Sequence, residues 1–141
     1  MSKKREPKCV FKDLAEAQKY LAEWQERLFL TDWIIKLWLT DEPIFSDGKR
    51  RLGECDYRQA ERYALITLAM PDIETTSTIG KFCHERVLVH ELLHCKFNFA
   101  CEPTNAEMVF YCTAEHALLE QMAKSLIMAK YNVGLDFFKN F

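Results

Sequence analysis

The sequence lacks a long hydrophobic run. A membrane-spanning helix needs about 20 consecutive apolar residues, and the longest uncharged apolar stretch in mid-chain, residues 64–70, has only the length of a strand. The chain begins with the basic residues Lys3, Lys4 and Arg5, but the apolar segment of a secretory signal does not follow them. We therefore expect a cytoplasmic protein that has no membrane partner.

Glycine, proline and net charge are also scarce. The 141 residues include four glycines and four prolines, which excludes collagen-like and low-complexity chains. The 19 Lys and Arg side chains nearly balance the 21 Asp and Glu side chains, so the net charge is −2 and we expect no nucleic-acid partner. We interpret the short basic run at residues 49–51, together with Arg58, as a solvated surface.

Apolar side chains, by contrast, are plentiful. Hydrophobic residues make up 49% of the chain and aromatic residues 13%, which is enough to form a buried core. The length is that of one domain. We predict a flexible N-terminus over residues 1–12 and a single domain over residues 13–141.

Six cysteines are spread along the chain. A chain without an export signal has no need of disulfides, so we expect reduced thiols packed as small hydrophobic side chains. The alternative for some of them is a structural zinc site, whose donors would be Cys83, His84, Cys95 and Cys101. These residues lack the CxxC spacing of a zinc finger, which favours buried thiols.

Periodicity predicts the order helix, three strands, two helices. Asp13 is the expected N-cap of the first helix, with Glu16 as the second half of a capping box. The predicted helices cover residues 13–30, 79–99 and 104–131, the predicted strands cover 33–40, 53–57 and 63–70, and a loop covers 41–52. This is an α+β domain with a small antiparallel three-stranded sheet, a buried helix and a long C-terminal helix.

The segment that carries chemistry is VLVHELLH, which begins at residue 87. His90 and His94 are four residues apart, so on a helix they share one face and can bind one Zn²⁺. The carboxylate of Glu91 then lies beside the ion, where it can deprotonate a water. Burying these side chains among leucines costs several kcal/mol unless they are paired, and a metal ion pairs them.

VLVHELLH resembles the catalytic helix of the zincin metallopeptidases. The chain is similar to small gluzincin-like metallopeptidases of phages and mobile elements, and more distantly to the ImmA/IrrE-like group. The resemblance covers residues 13–130, and HExxH is its specific part. The chain departs from the zincin pattern at Lys96, where zincins usually have an uncharged apolar residue. The resemblance implies a zinc-dependent peptidase whose substrate lies along an edge strand, here Tyr63 to Met70.

The third metal ligand is less clearly indicated. Phe97 and Ala100 stand where a metzincin would have a glycine and a histidine, so that class is excluded. The gluzincin pattern takes a glutamate from the next helix, and Glu115 lies 21 residues beyond His94. Glu115 is also the charged member of the stripe that we expect to face inward.

Two alternatives to Glu115 remain open, His116 and Cys112. His116 is turned about 100° away from Glu115 around the helix, and Cys112 shares the inward stripe. We expect Glu120 to face solvent.

The predicted function is a zinc peptidase that acts on a protein or peptide, with a regulatory protein of phage or host as one such substrate. The alternative is a non-catalytic interaction protein that keeps zinc as a structural clamp. The oxyanion of a peptidase needs a second donor, and the sequence offers Tyr111, Tyr131 and His84. We expect His84 to face solvent, because it lies about 120° around the helix from His90.

Overall fold

The structure is a computed structural model that describes residues 5–46, 48–97 and 106–141, apart from the side chains of 106–111. It forms a mixed α+β fold with four helices, a three-stranded sheet and a two-stranded sheet. The elements in chain order are α1 (Leu14–Arg27), β1 (Ile34–Thr40), β2 (Ile44–Ser46), β3 (Lys49–Arg51), β4 (Gly53–Arg58), β5 (Tyr63–Ala69), α2 (Ile73–Thr76), α3 (His84–Lys96), α4 (Ala106–Tyr131) and a final 3₁₀ turn (Leu135–Phe138).

The three-stranded sheet has the order β1-β5-β4. β4 and β5 pair antiparallel, as predicted, whereas β1 pairs parallel with β5 from Ile34 opposite Tyr63 to Thr40 opposite Ala69. The prediction of an all-antiparallel sheet is therefore wrong. β5 is the most deeply buried strand, so it takes the centre, and β1 lies beside it instead of beside β4.

The predicted loop at residues 41–52 contains a second, two-stranded sheet, in which β2 and β3 pair antiparallel. Ile44 anchors it, because its side chain is buried. Gly48 in the connecting turn has a φ of +73°, a left-handed conformation that glycine adopts without steric cost. The length of β2 and β3, three residues each, explains why no strand pattern is apparent in the sequence.

Helices α1, α3 and α4 enclose the core together with the three-stranded sheet. The N-cap of α1 is confirmed, because Asp13 Oδ1 accepts a hydrogen bond from the Glu16 amide at 2.8 Å. Helix α3 begins five residues later than predicted. The segment before it is held extended instead, since the Lys81 amide donates to the Phe138 carbonyl at 2.8 Å. Within the described residues, no helix has both the length and the hydrophobicity that crossing a membrane requires.

The chain before α1 contacts the first turn of α3. The His84 amide donates to the Cys9 carbonyl at 2.9 Å, and the Glu85 amide donates to the Lys8 carbonyl at 3.1 Å. These bonds satisfy amides that a helix N-terminus leaves without intrahelical partners. Nothing in the sequence indicated this contact, and the flexibility assigned to residues 1–12 stays a prediction.

Candidate metal centre

Helix α3 carries the two histidines of the HExxH motif side by side. The residues around them are buried, as predicted, and they fix the rotation of the helix in the core: Val87, Leu88, Val89, Leu92 and Leu93. The His90 and His94 rings have centroids 5.2 Å apart and are only partly exposed. The motif thus places both imidazoles on the face that α3 turns towards α4.

A third imidazole comes from α4. The ring centroid of His116 lies 5.7 Å from that of His90 and 5.0 Å from that of His94. One ligand atom from each of the three residues lies within 4.8 Å of the other two. Three nitrogens from two helices therefore lie close together near the surface, where His116 is exposed.

Glu115 lies outside this group. Burial raises the pKa of Glu115, and its charge in turn contributes to the raised pKa of Tyr57 on β4. Glu115 and His116 both lie one turn before the buried Leu119, on either side of it, and the crossing of α4 over α3 brings the imidazole to the cluster. The role of Glu115 as third ligand stays a prediction, while the geometry favours His116.

Cys112, the other alternative ligand, is disulfide-bonded, so its sulfur is not available as a thiolate. The prediction of reduced thiols is confirmed for Cys9, Cys55, Cys83 and Cys95 and is wrong for Cys112. Cys101 lies outside the described residues.

A carboxylate from α4 orients one of the histidines. His90 Nδ1 donates to Glu120 Oε2 at 2.9 Å, and Arg86 donates to the other oxygen of Glu120. The expectation that Glu120 faces solvent is therefore wrong, because α4 presents it to α3 one turn after His116. With Nδ1 engaged, Nε2 is the nitrogen of His90 that remains for a metal.

The charges around Glu120 decide its protonation. Burial acts to raise its pKa, but the His90 hydrogen bond and the positive charge of Arg86 outweigh burial, so the pKa lies below its ordinary value. Glu120 is thus an anion at neutral pH. An anion in this position fixes the tautomer of His90.

The other two histidines of the cluster, His94 and His116, are neutral at neutral pH. Burial, followed by the charges of His90 and His116, lowers the pKa of His94 to about 4. The pKa of His116 is lowered by burial and then by the charges of His90 and Arg51. Neutral imidazole is the form that binds metal ions, so no proton has to leave His94 or His116 at neutral pH.

Glu91 lies beside the cluster and is 6% exposed. Burial raises its pKa to about 7, and its carboxylate accepts no hydrogen bond from the residues that the structure describes. The backbone of β4 passes close to it at Gly53, where a Cβ atom would lie 3.1 Å from Glu91 Cγ and 2.7 Å from Val87 Cγ1. Glycine at this position therefore lets the sheet approach the carboxylate closely.

Two of the predicted oxyanion donors are engaged elsewhere. His84 is buried and not solvent-facing as we expected: its Nδ1 accepts from the Phe11 amide at 2.8 Å, and its Nε2 donates to the Ala69 carbonyl at 2.9 Å. The Tyr131 hydroxyl donates to the carboxylate of Glu85. Both side chains have structural roles in the core.

Arg51 on β3 is a residue of the site that the sequence did not reveal. Its positive charge adds, after burial and the charge of His90, to the lowering of the His116 pKa, and it opposes in small part the rise that burial causes in the pKa of Glu91. We interpreted the basic run at residues 49–51 as a solvated loop, and Arg50 fits that description in part, since it pairs with Asp72 and Glu74. The side chain of Tyr111, the third oxyanion candidate, lies outside the described residues.

No protein-family model matches this chain, and no curated protein or solved structure matches it either. The resemblance to zincins therefore rests on the HExxH motif, and the histidine cluster is the feature of the structure that bears on function.

Proposed function

We propose that the protein is a zinc-dependent peptidase in which His90, His94 and His116 hold the metal ion. The convergence of three imidazole nitrogens within 4.8 Å of one another carries this proposal. Three histidines are a common donor set for catalytic zinc, and tetrahedral bonds of about 2.0–2.1 Å require nitrogens roughly 3.3 Å apart. Small rotations of partly exposed rings are enough to bring them to that separation.

The surroundings of the cluster favour catalysis over a structural clamp. Three protein ligands leave one coordination position open, which is typical of catalytic zinc, whereas structural sites use four. The buried Glu91, with a pKa of about 7, is also costly to maintain. Such perturbed groups are concentrated at functional sites.

Each side chain of the site has a distinct role in this proposal. Zinc, when bound, supplies a Lewis acid that makes water nucleophilic near neutral pH. Glu91 accepts the proton of the attacking water on its carboxylate and returns it to the leaving amine. The charge of Arg51 acts on His116 and Glu91, and a positive charge near the site would favour the developing oxyanion.

An extended peptide substrate fits the outer edge of β4. The predicted substrate strand, residues 63–70, is wrong, because β5 is hydrogen-bonded on both sides. β1 and β4 are the edge strands of the three-stranded sheet, and the first residue of β4, Gly53, adjoins Glu91. Strand addition there brings the main chain of a peptide alongside the proposed catalytic base.

Metal analysis of the purified protein tests the site. We expect about one zinc per chain in the wild type, and loss of zinc in His90→Ala, His94→Ala and His116→Ala. His84→Ala is the matched control, because it removes an imidazole from the same helix and should retain zinc. Zinc retained in His116→Ala and lost in Glu115→Ala would instead make Glu115 the third ligand.

An activity assay distinguishes a zinc peptidase from an interaction protein that keeps zinc only as a structural clamp. We expect Glu91→Gln to retain zinc and to lose cleavage of a peptide library followed by mass spectrometry. Arg51→Met should retain zinc and slow cleavage. A wild-type protein that holds zinc with four protein donors and cleaves nothing would favour the non-catalytic interaction protein.

A further inference from the structure

A cavity of about 220 Å³ opens next to the histidine cluster, at the N-terminal end of α3. Two of its lining residues, Arg86 and Glu120, are the pair that orients His90. The wall also contains two further cations, Lys81 and Lys124. The carboxylate of Glu120 therefore lies in the cavity wall and also bonds His90, one of the proposed zinc ligands.

The charge of the cavity wall is unbalanced. Arg86, Lys81 and Lys124 are set against one carboxylate, that of Glu120, which already pairs with Arg86 and His90. Throughout residues 5–46, 48–97 and 112–141, no carboxylate forms a salt bridge with Lys81 or Lys124. The charge of Lys124 acts on Glu120 and helps to lower the pKa of that carboxylate, but the three cations of the wall still outnumber its one carboxylate.

Each of the two lysines lies near an aromatic ring. Lys81 Nζ is 4.2 Å from the ring centroid of Phe137, and Lys124 Nζ is 5.9 Å from that of Phe138. A cation above a ring gains a modest stabilisation and keeps its hydrogen-bond donors. Both ammonium groups therefore retain donors for an anionic ligand.

The distance from the cluster suits a neighbouring residue of a bound peptide. Arg86 and His90 are four residues apart on α3, which is a rise of about 6 Å. An extended peptide advances about 3.3 Å per residue. A side chain one or two positions from a bond at the zinc site therefore reaches the cavity.

We propose that this cavity binds an oxyanion of the substrate, either the carboxylate of an acidic residue or the phosphate of a phosphorylated one. The assignment to a substrate rests on the proposed function, whereas the anion site is defined by Lys81, Lys124 and Arg86. The peptidase would accordingly prefer peptides that carry a negative charge next to the cleaved bond.

A titration of the full chain followed by NMR tests the anion site without relying on activity. The probes are N-acetyl-aspartate amide and N-acetyl-phosphoserine amide, with N-acetyl-asparagine amide as the neutral control. We expect saturable shifts at Lys81, Phe82 and Phe138 with one or both anions and none with the neutral probe. The anion that binds more tightly identifies the source of the charge.

Charge-removing variants sharpen the test. Lys81→Met and Lys124→Met should each raise the dissociation constant at least about fivefold. Lys19→Met is the matched control, because Lys19 is exposed on α1 and its removal changes the net charge equally. Equal affinity in all three variants, or shifts with the neutral probe alone, would overturn the proposal.

The same titration in His94→Ala separates this proposal from the proposed function. We expect anion binding to persist in a variant that holds no zinc. Zinc binding without anion binding would reject the cavity and leave the peptidase proposal standing. Anion binding to a wild-type protein that takes up no zinc would reject the peptidase and retain the anion site.

Discussion

Helix α3 contains the same dipeptide twice, as His84-Glu85 and as His90-Glu91. The two pairs differ in how fully their side chains are hydrogen-bonded. Both side chains of the first pair are 0% exposed, and both nitrogens of His84 are hydrogen-bonded. The carboxylate of Glu85 accepts hydrogen bonds from four groups, which are Trp24 Nε1, the Tyr131 hydroxyl, Lys130 Nζ and the Lys8 amide.

The second pair is buried nearly as well and is much less satisfied. His90 has one nitrogen bound to Glu120, and its ring lies beside two more imidazoles. Glu91 keeps a pKa of about 7 because the charges of His90 and Arg51 offset its burial only in part. Identical residues six positions apart thus differ in what they can still bind, and that difference, more than the motif, indicates function.

The largest effect that separates the two pairs should come from zinc itself. At a free concentration of about 1,000 times the dissociation constant, zinc should raise the free energy of unfolding by about 4 kcal/mol. This gain should vanish in His94→Ala and persist in His84→Ala, although the latter is less stable without metal. Urea denaturation with zinc or with a chelator measures it, and an equal gain in both variants would remove the distinction.

Charge neutralisation at the two glutamates should give the next largest contrast. Glu85→Gln leaves Lys130, whose side chain is 2% exposed, without its closest carboxylate, and we expect a loss of about 3 kcal/mol in unfolding free energy. Glu91→Gln replaces a carboxylate that has no described hydrogen-bond donor, so the metal-free protein should lose less than about 1 kcal/mol. Similar losses in the two variants would show that Glu91 is as well paired as Glu85.

Removing the carboxylate of Glu120, which orients His90, should have a smaller but measurable effect on zinc affinity. Glu120→Gln removes the anion that fixes the His90 tautomer, and zinc affinity should fall about 10–100-fold. Competition with a chelating dye measures it. Glu74→Gln, which alters an ion pair of Arg50 away from the cluster, should leave zinc affinity unchanged.

The smallest effect is a pH dependence of opposite sign for Glu91 and His94 in the metal-free protein. Folded Glu91 keeps its proton up to about pH 7, whereas the unfolded group loses it near 4.5, so its contribution to stability falls as pH rises through that range. Folded His94 stays neutral down to about pH 4, so its contribution falls as pH drops from 6.5 to 4.

Each contribution amounts to at most about 1.4 kcal/mol per pH unit. The two oppose each other in the wild type between pH 4.5 and 6.5. Subtracting the stability of Glu91→Gln from that of the wild type should give a curve that falls with rising pH, and subtracting that of His94→Ala should give one that rises. Two curves with the same slope would contradict the assignments.

Features of the fold that depend on neighbouring residues were predictable from the sequence. The Asp13 cap acts within one turn, and the spacing of His90 and His94 places both rings on one face. The antiparallel pairing of β4 and β5 follows from the few residues between them. These parts need no knowledge of the rest of the chain.

Features that depend on distant packing were not predictable. The central position of β5 results from competition among strands for burial. The choice between Glu115 and His116 is a rotation of about 100°, and α4 carries apolar residues on more than one face, so its sequence does not fix that rotation. The hydrogen bond between Glu120 and His90 and the effect of the Arg51 charge on His116 likewise depend on the tertiary structure.

The parallel pairing of β1 with β5 bears on the order of folding. Each paired position of these strands is 29 residues apart in the chain, whereas β4 and β5 are joined by a short turn. Closing the shorter loop costs less entropy, so the β4–β5 hairpin should form first and serve as the template for β1. On the ribosome β1 emerges before its partner, and it has to remain unpaired until roughly thirty further residues have been synthesised.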